Sequence, residues 1–291
     1  MSQPDTDVLI IGAGLSGIGA AVHLGKRCPD KTYQIFEQRD AIGGTWDLFR
    51  YPGIRSDSDM HTLGYNFKPW TEAKAIADGP SIRKYVNETA DEYGITPHIH
   101  FGTTIVAANW STPEQLWHVT HEDKSGKRSN TTCRFLFMCG GYYRYDHGYR
   151  PDFPGEDNYK GIFVHPQHWP EDLDYTGKKV VIIGSGATAM TLLPAMTDKA
   201  AHVTMLQRSP SYFISSPRKK DWFYNMLKPW LGESIAFSVK RWQNIFRQQA
   251  VYDVCQMYPR QSKKALMGWI RAQCPEDFDA NVHFNPKYNP W

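Results

Sequence analysis

The alternation of apolar and polar residues along the chain predicts a layered α/β protein. Two runs that end at glycines, Asp7 to Ile11 and Lys179 to Ile183, are typical of buried parallel strands. Each is followed by a helix of small residues and then by a second short strand, Tyr33 to Glu37 and His202 to Gln207, respectively. The pattern therefore indicates two dinucleotide-binding folds of the Rossmann type, each with a parallel sheet.

Between these two units the pattern changes. Lys74 to Glu92 has helical spacing, whereas Ile99 to Trp110 and Leu116 to His121 alternate in polarity around a turn at Pro113. Arg134 to Cys139 is a further apolar strand. We therefore expect an antiparallel β-meander inserted into the first parallel sheet.

Beyond Pro217 the sequence becomes helical, aromatic and basic. Such a stretch can lie on an anionic membrane surface, through residues 218–272, but a solvated amphipathic insert is the favoured interpretation. The predicted segments are a first dinucleotide-binding domain (1–145), a partial second one (146–216) and a helical insert (217–291). The basic residues of the insert include Arg218, Lys219, Lys220, Lys228, Lys240, Arg241, Arg247, Arg260, Lys263, Lys264 and Arg271.

Composition narrows the class of protein only slightly. A net charge of +3 over 291 residues is too small to indicate a nucleic-acid partner. The five cysteines form no Cys-x-x-Cys pair, and reduced thiols in a cytoplasmic protein are expected. Four histidines near the meander, His98, His100, His118 and His121, are joined by no paired carboxylate, so no metal site is predicted. The N-terminal apolar run is too short for a signal peptide or a spanning helix.

The first glycine-rich turn is Gly12-Ala-Gly14-Leu-Ser-Gly17. In such turns the first glycine permits a tight bend, the second lets the backbone approach phosphates, and the third allows close packing of helix on strand. Glu37 follows about 20 residues later, where a carboxylate can accept hydrogen bonds from ribose hydroxyls. A dinucleotide site is the favoured interpretation over a tight turn without a ligand.

The second turn is Gly184-Ser-Gly186-Ala-Thr-Ala189, and the strand after its helix ends in Arg208-Ser209 instead of an acid. An arginine there can bind a 2′-phosphate, which an acid would repel. The contrast between Glu37 and Arg208 predicts a free ribose in the first site and NADPH in the second. The alternative is that Arg208 is a solvated charge at the end of a strand.

A rarer pattern precedes the second turn: Tyr159-x-Gly161-x-x-x-His165-x-x-x-Trp169-Pro170. It resembles the fingerprint of the type I Baeyer–Villiger monooxygenases, with Tyr159 at a position where phenylalanine is usual. The related heteroatom-oxygenating flavin monooxygenases usually lack the Trp-Pro ending. The segment from Gly43 to Asp59 is also similar to the flavin-facing loop of the Baeyer–Villiger family, in particular to its branch of ethionamide-activating enzymes and long-chain ketone or alkane oxidisers.

The resemblance implies FAD in the domain 1–145 and NADPH in the domain 146–216. It places Ser16 near the pyrophosphate, Asp57 near the isoalloxazine and the backbone of Ile105 at the adenine. The implied FAD residues are Gly12, Gly14, Ser16, Gly17, Glu37, Gly44, Thr45, Trp46, Asp47, Leu48, Arg55, Ser56, Asp57 and Ile105. The implied NADPH residues are Gly184, Ser185, Gly186, Ala187, Thr188, Ala189, Arg208 and Ser209.

The resemblance also implies catalytic roles for Asp57 and His165, the latter through domain movement and cofactor reduction. By sequence alone Asp57 could instead belong to a solvated loop, because Ser-Asp-Ser-Asp is good turn chemistry. The expected reaction is insertion of one oxygen atom from O2 beside the carbonyl of a small apolar ketone, which gives an ester or lactone. Oxygenation of sulfur, as in a thioether, or of nitrogen is the rival. The family's active-site arginine matches no residue here, neither Arg55 nor Arg208. Since family members are longer, we expect an N-terminal portion, and a catalytically silent nucleotide-binding fragment is a further alternative.

Overall fold

The computed structural model describes residues 3–72, 74–213 and 221–290. Strands and helices alternate at the start of the chain and give way to strands alone near residue 100. In chain order, the elements of the first half are β1 (Thr6–Ile11), α1 (Leu15–Arg27), β2 (Tyr33–Phe36), α2 (Thr45–Leu48), α3 (Met60–Leu63), α4 (Gly79–Glu92), β3 (Ile99–His100), β4 (Thr104–Ser111), β5 (Leu116–Glu122) and β6 (Arg128–Met138).

The second half begins with a strand-helix-strand unit and continues with helices. Its elements are β7 (Lys179–Ile183), α5 (Ala187–Met196), β8 (His202–Leu206), α6 (Trp222–Leu231), α7 (Glu233–Met257), α8 (Pro259–Arg271) and α9 (Ala280–Phe284). The helical character predicted after Pro217 is therefore confirmed from residue 222 onward. Pro217 and the basic residues Arg218, Lys219 and Lys220 lie outside the described residues. Among the described helices, none is both long enough and apolar enough to cross a bilayer.

The chain divides into two compact units. The first unit comprises Met1–Tyr51 and Asp78–Glu171, and the second comprises Pro52–Ala77 and Asp172–Trp291. These bounds differ from the three predicted segments, because residues 52–77 pack with the second half of the chain. The carboxylate of Asp59 in this segment accepts a buried hydrogen bond from Asn244 of α7 at 2.9 Å, a contact that local sequence does not reveal.

The first unit is built on a six-stranded mixed sheet in the order β3-β2-β1-β6-β5-β4. β1 pairs in parallel with both β2 and β6, whereas β4, β5 and β6 are antiparallel. The predicted meander inserted into a parallel sheet is thus confirmed. Leu9 of β1 is buried with Phe36, Val119 and Cys133, so side chains from the parallel and antiparallel strands share one core.

Two local predictions in this unit need correction. The helix expected from Lys74 begins at Gly79, because Asp78 caps it by accepting from the Ser81 N–H at 2.9 Å and Pro80 occupies its first turn. The single run expected from Ile99 to Trp110 is divided into β3, which contains only Ile99 and His100, and β4, which begins at Thr104. Gly102 between them has a φ of +62°, a conformation that interrupts a strand.

The second unit contains a two-stranded parallel sheet of β7 and β8, with α5 between them in sequence. The register pairs Val180 with Val203 and Ile182 with Met205. Both strands have the predicted position, although β8 ends at Leu206, one residue before the predicted limit. This arrangement places the glycine-rich turn after β7 next to the residues that follow β8, because parallel strands end at the same edge.

Candidate functional site

The first glycine-rich turn is built from backbone contacts that leave no room for side chains. Gly12 has a φ of +101°, and its N–H donates to the carbonyl oxygen of Phe36 at 2.8 Å. A Cβ on Gly17 would lie 1.8 Å from the carbonyl oxygen of Gly12. The turn therefore holds the start of α1 against the end of β1, as the spacing of the glycines predicted.

The N-terminus of α1 is suited to an anion. Gly14 is its N-cap and has no side chain with which to cap the helix, and the first turn contains no acid. Ser16 is exposed in that turn, so its hydroxyl is accessible beside the backbone N–H groups. A Cβ on Gly14 would lie 3.6 Å from the Cα of Gly44, so two glycine backbones face each other. The N–H groups at a helix start favour phosphate, and the paired glycines allow a flat ligand to approach.

Glu37 directly follows β2 and contacts the first glycine-rich turn. It is only 3% exposed, and its two carboxylate oxygens accept from the N–H groups of Ala13, at 2.6 Å, and Arg39, at 2.8 Å. The carboxylate thus fixes the turn itself, a role that the sequence pattern did not predict. Because each carboxylate oxygen accepts more than one hydrogen bond, Glu37 keeps the capacity to accept from a sugar hydroxyl.

Asp47 lies at the centre of a cluster of arginines. Its side chain is 5% exposed and contacts Arg39 at 2.6 Å, Arg50 at 2.7 Å and Arg83 at 3.1 Å. Burial would raise the pKa of the Asp47 carboxyl, but the hydrogen bonds from Arg39 and Arg83 and the charges of Arg39 and Arg50 outweigh burial and lower that pKa. The cluster ties α2, which contains Thr45, Trp46, Asp47 and Leu48, to the loop after β2 and to α4.

The fingerprint segment and the α2 segment line one open cavity of the first unit. The cavity has a volume of about 430 Å³. Gln167 of the fingerprint is buried there and donates from Nε2 to the carbonyl oxygen of Arg144 at 2.5 Å. The cavity is lined by Arg39, Asp47, Leu48, Arg50, Gln167, His168, Trp169, Pro170 and Glu171. The structure therefore brings the Trp-Pro ending of the fingerprint together with the predicted cofactor residues of α2.

His165 stabilises the fingerprint segment through a hydrogen bond to its backbone. Its Nδ1 accepts from the Gln167 N–H at 3.2 Å, so the imidazole caps the short 3₁₀ turn Pro166–His168. Gly148 packs against the ring, since a Cβ there would lie 2.0 Å from Cε1 of His165. Burial, with a smaller contribution from His168, lowers the pKa of His165, which favours the neutral ring. His165 thus shapes the fingerprint turn through hydrogen bonding.

The remaining predicted FAD residues are divided between the two units. Ile105 lies on β4 beside a bulge and packs against the core cluster of Leu9 and Val119, so its side chain has a structural role. Arg55, Ser56 and Asp57 belong to the second unit. Ser56 is buried and its N–H donates to the carbonyl oxygen of Ala77 at 3.0 Å, whereas Asp57 is exposed.

The second glycine-rich turn shares with the first a glycine at positive φ and a glycine at the N-cap of the following helix, but it is less closely packed. Gly184 has a φ of +128°, and Gly186, which has no side chain with which to cap the helix, is the N-cap of α5. A Cβ on either glycine would meet no atom within 4 Å, so the turn faces open space. Ala189 is buried, and Ala187 and Thr188 begin the helix. Ser185 Oγ lies 3.4 Å from Ser211 Oγ, which links the turn to the segment after β8.

Arg208 and Ser209 follow β8 after one intervening residue, Gln207, and are exposed. Since β7 and β8 are parallel and in register from Lys179 to Ile183, both the turn and this pair lie at the same edge of the sheet. The arginine is therefore on the correct edge for an anionic group of a ligand bound at the turn. Of the described residues, none forms a cluster of three or more potential metal ligands.

Sequence reasoning missed the residues that support these sites. Arg39 and Arg83 contact Asp47 from places separated by 44 positions, and Asn244 reaches Asp59 across 185 positions. Only Arg50, three residues after Asp47, lies within the range of a local pattern. Contacts between residues so far apart in sequence depend on the fold, so no local sequence pattern predicts them.

Comparison with known proteins agrees with this geometry. Residues 70–252 match the flavin-binding monooxygenase-like family, and residues 10–78 match an NAD(P)-binding Rossmann-like domain. The FAD-containing monooxygenase EthA of Mycobacterium tuberculosis is 55% identical over 286 residues, which is 98% of this chain and 58% of that protein. The probable FAD-binding monooxygenase AlmA of Acinetobacter baylyi is 51% identical over 98% of this chain and 57% of its own length.

Solved structures of FAD- and NADP-binding proteins also resemble this chain. OTEMO in complex with FAD and NADP matches with a TM-score of 0.63 and 31% identity, covering 72% of this chain and 40% of that one. The present chain spans little more than half the length of the curated relatives. The family match covers more than half of this chain, and the relatives match nearly all of it. The chain therefore belongs to the flavin-binding monooxygenase-like family.

Proposed function

We propose that the protein acts as an FAD- and NADPH-dependent monooxygenase that inserts an oxygen atom beside a ketone carbonyl. The observation that carries this proposal is the pair of glycine-rich turns, each of which starts a helix with a glycine at the N-cap. The first is followed by the buried carboxylate Glu37 and the second by the exposed cation Arg208. Opposite charges at equivalent positions favour two different dinucleotides. Bound FAD would supply the chemistry of oxygen activation, and NADPH would supply the hydride.

In this proposal the first unit binds most of the FAD. The N–H groups at Gly14 and the hydroxyl of Ser16 bind the pyrophosphate, and Glu37 accepts from the ribose. The loop through Gly44 and the α2 residues Thr45 to Leu48 extend along the cofactor, and the Ile105 backbone meets the adenine. Arg55, Ser56 and Asp57 supply polar groups near the flavin. Relatives whose names or titles state that they contain or bind FAD support this assignment.

The second unit binds NADPH. Gly184, Ser185, Gly186 and the start of α5 from Ala187 to Ala189 receive the pyrophosphate, and Arg208 with Ser209 receives the 2′-phosphate. Arginine binds phosphate through two parallel N–H groups, whereas the 2′-hydroxyl of NADH offers no charge to it. The binding of NADP by OTEMO and by a steroid monooxygenase, both 31% identical to this chain, supports the assignment.

Arg208→Gln should reduce the preference for NADPH over NADH. Loss of a charge-assisted contact worth about 1.5–3 kcal/mol should weaken NADPH binding by about 10- to 100-fold and leave NADH binding within about twofold. Binding constants for both nucleotides, measured by fluorescence titration, check this expectation. Arg247→Gln, an exposed arginine on α7, is the matched control. Equal weakening of both nucleotides would remove Arg208 from the phosphate site.

The type of oxygenation is the finer part of the proposal. It is supported by the Trp169-Pro170 ending of the fingerprint and by a cyclohexanone-bound cyclohexanone monooxygenase that matches with a TM-score of 0.65 and 27% identity, over 77% of this chain and 43% of its own. Asp57 would hold charge near the flavin, and His165 would keep the fingerprint turn in place. The residues around the flavin must exclude water and provide fixed charge, since oxygen insertion needs a dry, polar site.

A product assay tests the reaction. The intact protein, supplied with FAD, NADPH and O2, is offered a linear ketone and a thioether of the same chain length in separate reactions. An ester from the ketone supports the proposal. Sulfoxide without ester would favour heteroatom oxygenation, which the flavin-binding monooxygenase-like match makes the principal rival. Nucleotide binding without either product would indicate a catalytically silent binding protein.

A further inference from the structure

We propose that helix α7 positions the Asp57 loop, with Asn244 and Arg241 as the positioning residues. The inference rests on the proposed function, because it assigns the second unit's helical insert a role in shaping a flavin-facing loop. All the contacts that carry it lie within the second unit. They connect residues 53–64 to α7 at one end and to α5 at the other.

The first contact is a buried hydrogen bond between side chains. Asn244 is 3% exposed, and its Nδ2 donates to Oδ1 of Asp59 at 2.9 Å. The same carboxylate caps α3 by accepting from the N–H of Thr62, at 3.1 Å, and from the Thr62 hydroxyl, at 3.1 Å. A buried amide is costly unless it is hydrogen-bonded, so this asparagine indicates a specific docking contact on α7.

The second contact is one turn earlier on the same face of α7. Arg241 Nη1 donates to the carbonyl oxygens of His61 and Gly64, each at 2.8 Å. These carbonyls lie in and just beyond the last turn of α3, where helical carbonyls lack intrahelical partners. A guanidinium therefore caps the C-terminus of α3 while Asn244 holds its N-cap residue. Arg241 and Asn244 thus bind the two ends of α3, a four-residue helix that would not be stable alone.

The other end of the loop is held by α5. Gly53 has a φ of +82°, and a Cβ there would lie 2.5 Å from the carbonyl oxygen of Thr191. The backbone of the loop thus runs directly against the helix that follows the second glycine-rich turn. Asp57 lies between this contact and Asp59, only two residues from the carboxylate that Asn244 holds. Its backbone position is consequently set by two helices of the second unit.

The test uses a charge change that keeps side-chain shape. Asn244→Asp replaces the donor by a carboxylate facing Asp59, so repulsion should release the loop near neutral pH. Hydrogen exchange of peptides covering residues 56–64 should lose protection by about tenfold or more in this variant, with α8 unchanged. Protection should return toward that of the parent near pH 4–5, where one of the two carboxylates can take up a proton. A packing role alone would not give this return.

Arg241→Met is the second variant, and it should loosen the same peptides without the pH-dependent recovery, because no carboxylate has been added. Gln248→Ala and Arg247→Met, both exposed on α7, serve as controls that should leave protection unchanged. In the FAD-loaded intact protein, both positioning variants should also alter the visible circular dichroism of the flavin. Unchanged exchange of residues 56–64 in both variants would overturn the inference. If the parent protein binds no FAD but the exchange pattern is as expected, the proposed function fails instead.

Discussion

Replacement of Gly17 by alanine is expected to destabilise the first unit by about 3 kcal/mol or more and to abolish dinucleotide binding there. The added Cβ would lie 1.8 Å from the carbonyl oxygen of Gly12 and 3.0 Å from its carbonyl carbon, so backbone must move. Gly12 is itself held in place, because its N–H donates to the carbonyl oxygen of Phe36 at 2.8 Å. The melting temperature should fall by about 6–12 °C, measured by circular dichroism.

Gly25→Ala is the matched control for this substitution. Gly25 lies in the last turn of the same helix, and a Cβ there would meet no atom within 4 Å. Alanine at this position should stabilise the helix by up to about 1 kcal/mol, since glycine has the greater backbone entropy when unfolded. Similar melting temperatures for the two variants would mean that the turn can relax and that close packing at Gly17 does not define it.

The contrast between these two glycines shows what the sequence could predict. The strand before the motif, the helix after it, the tight bend at Gly12 and the close packing at Gly17 all follow from spacing, and the structure confirms them. The meander was predictable for the same reason, because alternation over seven or eight residues is a local signal. Glu37 was expected at the end of β2, but its bond to the Ala13 N–H depends on how the turn folds back.

Polar contacts between residues far apart in sequence were not predicted from the sequence. Ser-Asp-Ser-Asp indicated a solvated turn or a flavin-facing loop, yet Asp59 is buried and bonded to Asn244. An asparagine inside a long basic helix gives no sign of the partner it reaches. The same difficulty explains why residues 52–77 were assigned to the first domain: proximity in sequence to the first motif suggested one location, and contacts with α5 and α7 determined another.

Asp47→Asn is expected to have the second large effect, because it removes the only negative charge among four clustered side chains. The native carboxylate contacts three guanidiniums, each within 3.1 Å. Removing one partner of a buried pair costs about 3–5 kcal/mol, and since these arginines are partly exposed we expect about 1–3 kcal/mol here. Thermal unfolding at pH 7 measures the loss. FAD binding should weaken as well, because α2 loses its connections to the β2 loop and α4.

The pH dependence separates charge from packing as the cause of that loss. The pKa of Asp47 is lowered in the folded protein, so its contribution to stability is complete above its ordinary value near 3.8 and disappears as the pH falls through the lower folded value. The difference in melting temperature between parent and Asp47→Asn should therefore be constant from pH 7 to about pH 5 and shrink below about pH 4. Asp40→Asn, which breaks the exposed pair with Lys124, should show little difference at any pH. A difference for Asp47→Asn that persists unchanged at low pH would assign its effect to hydrogen-bond geometry, and the charge of the cluster would then not be what holds α2.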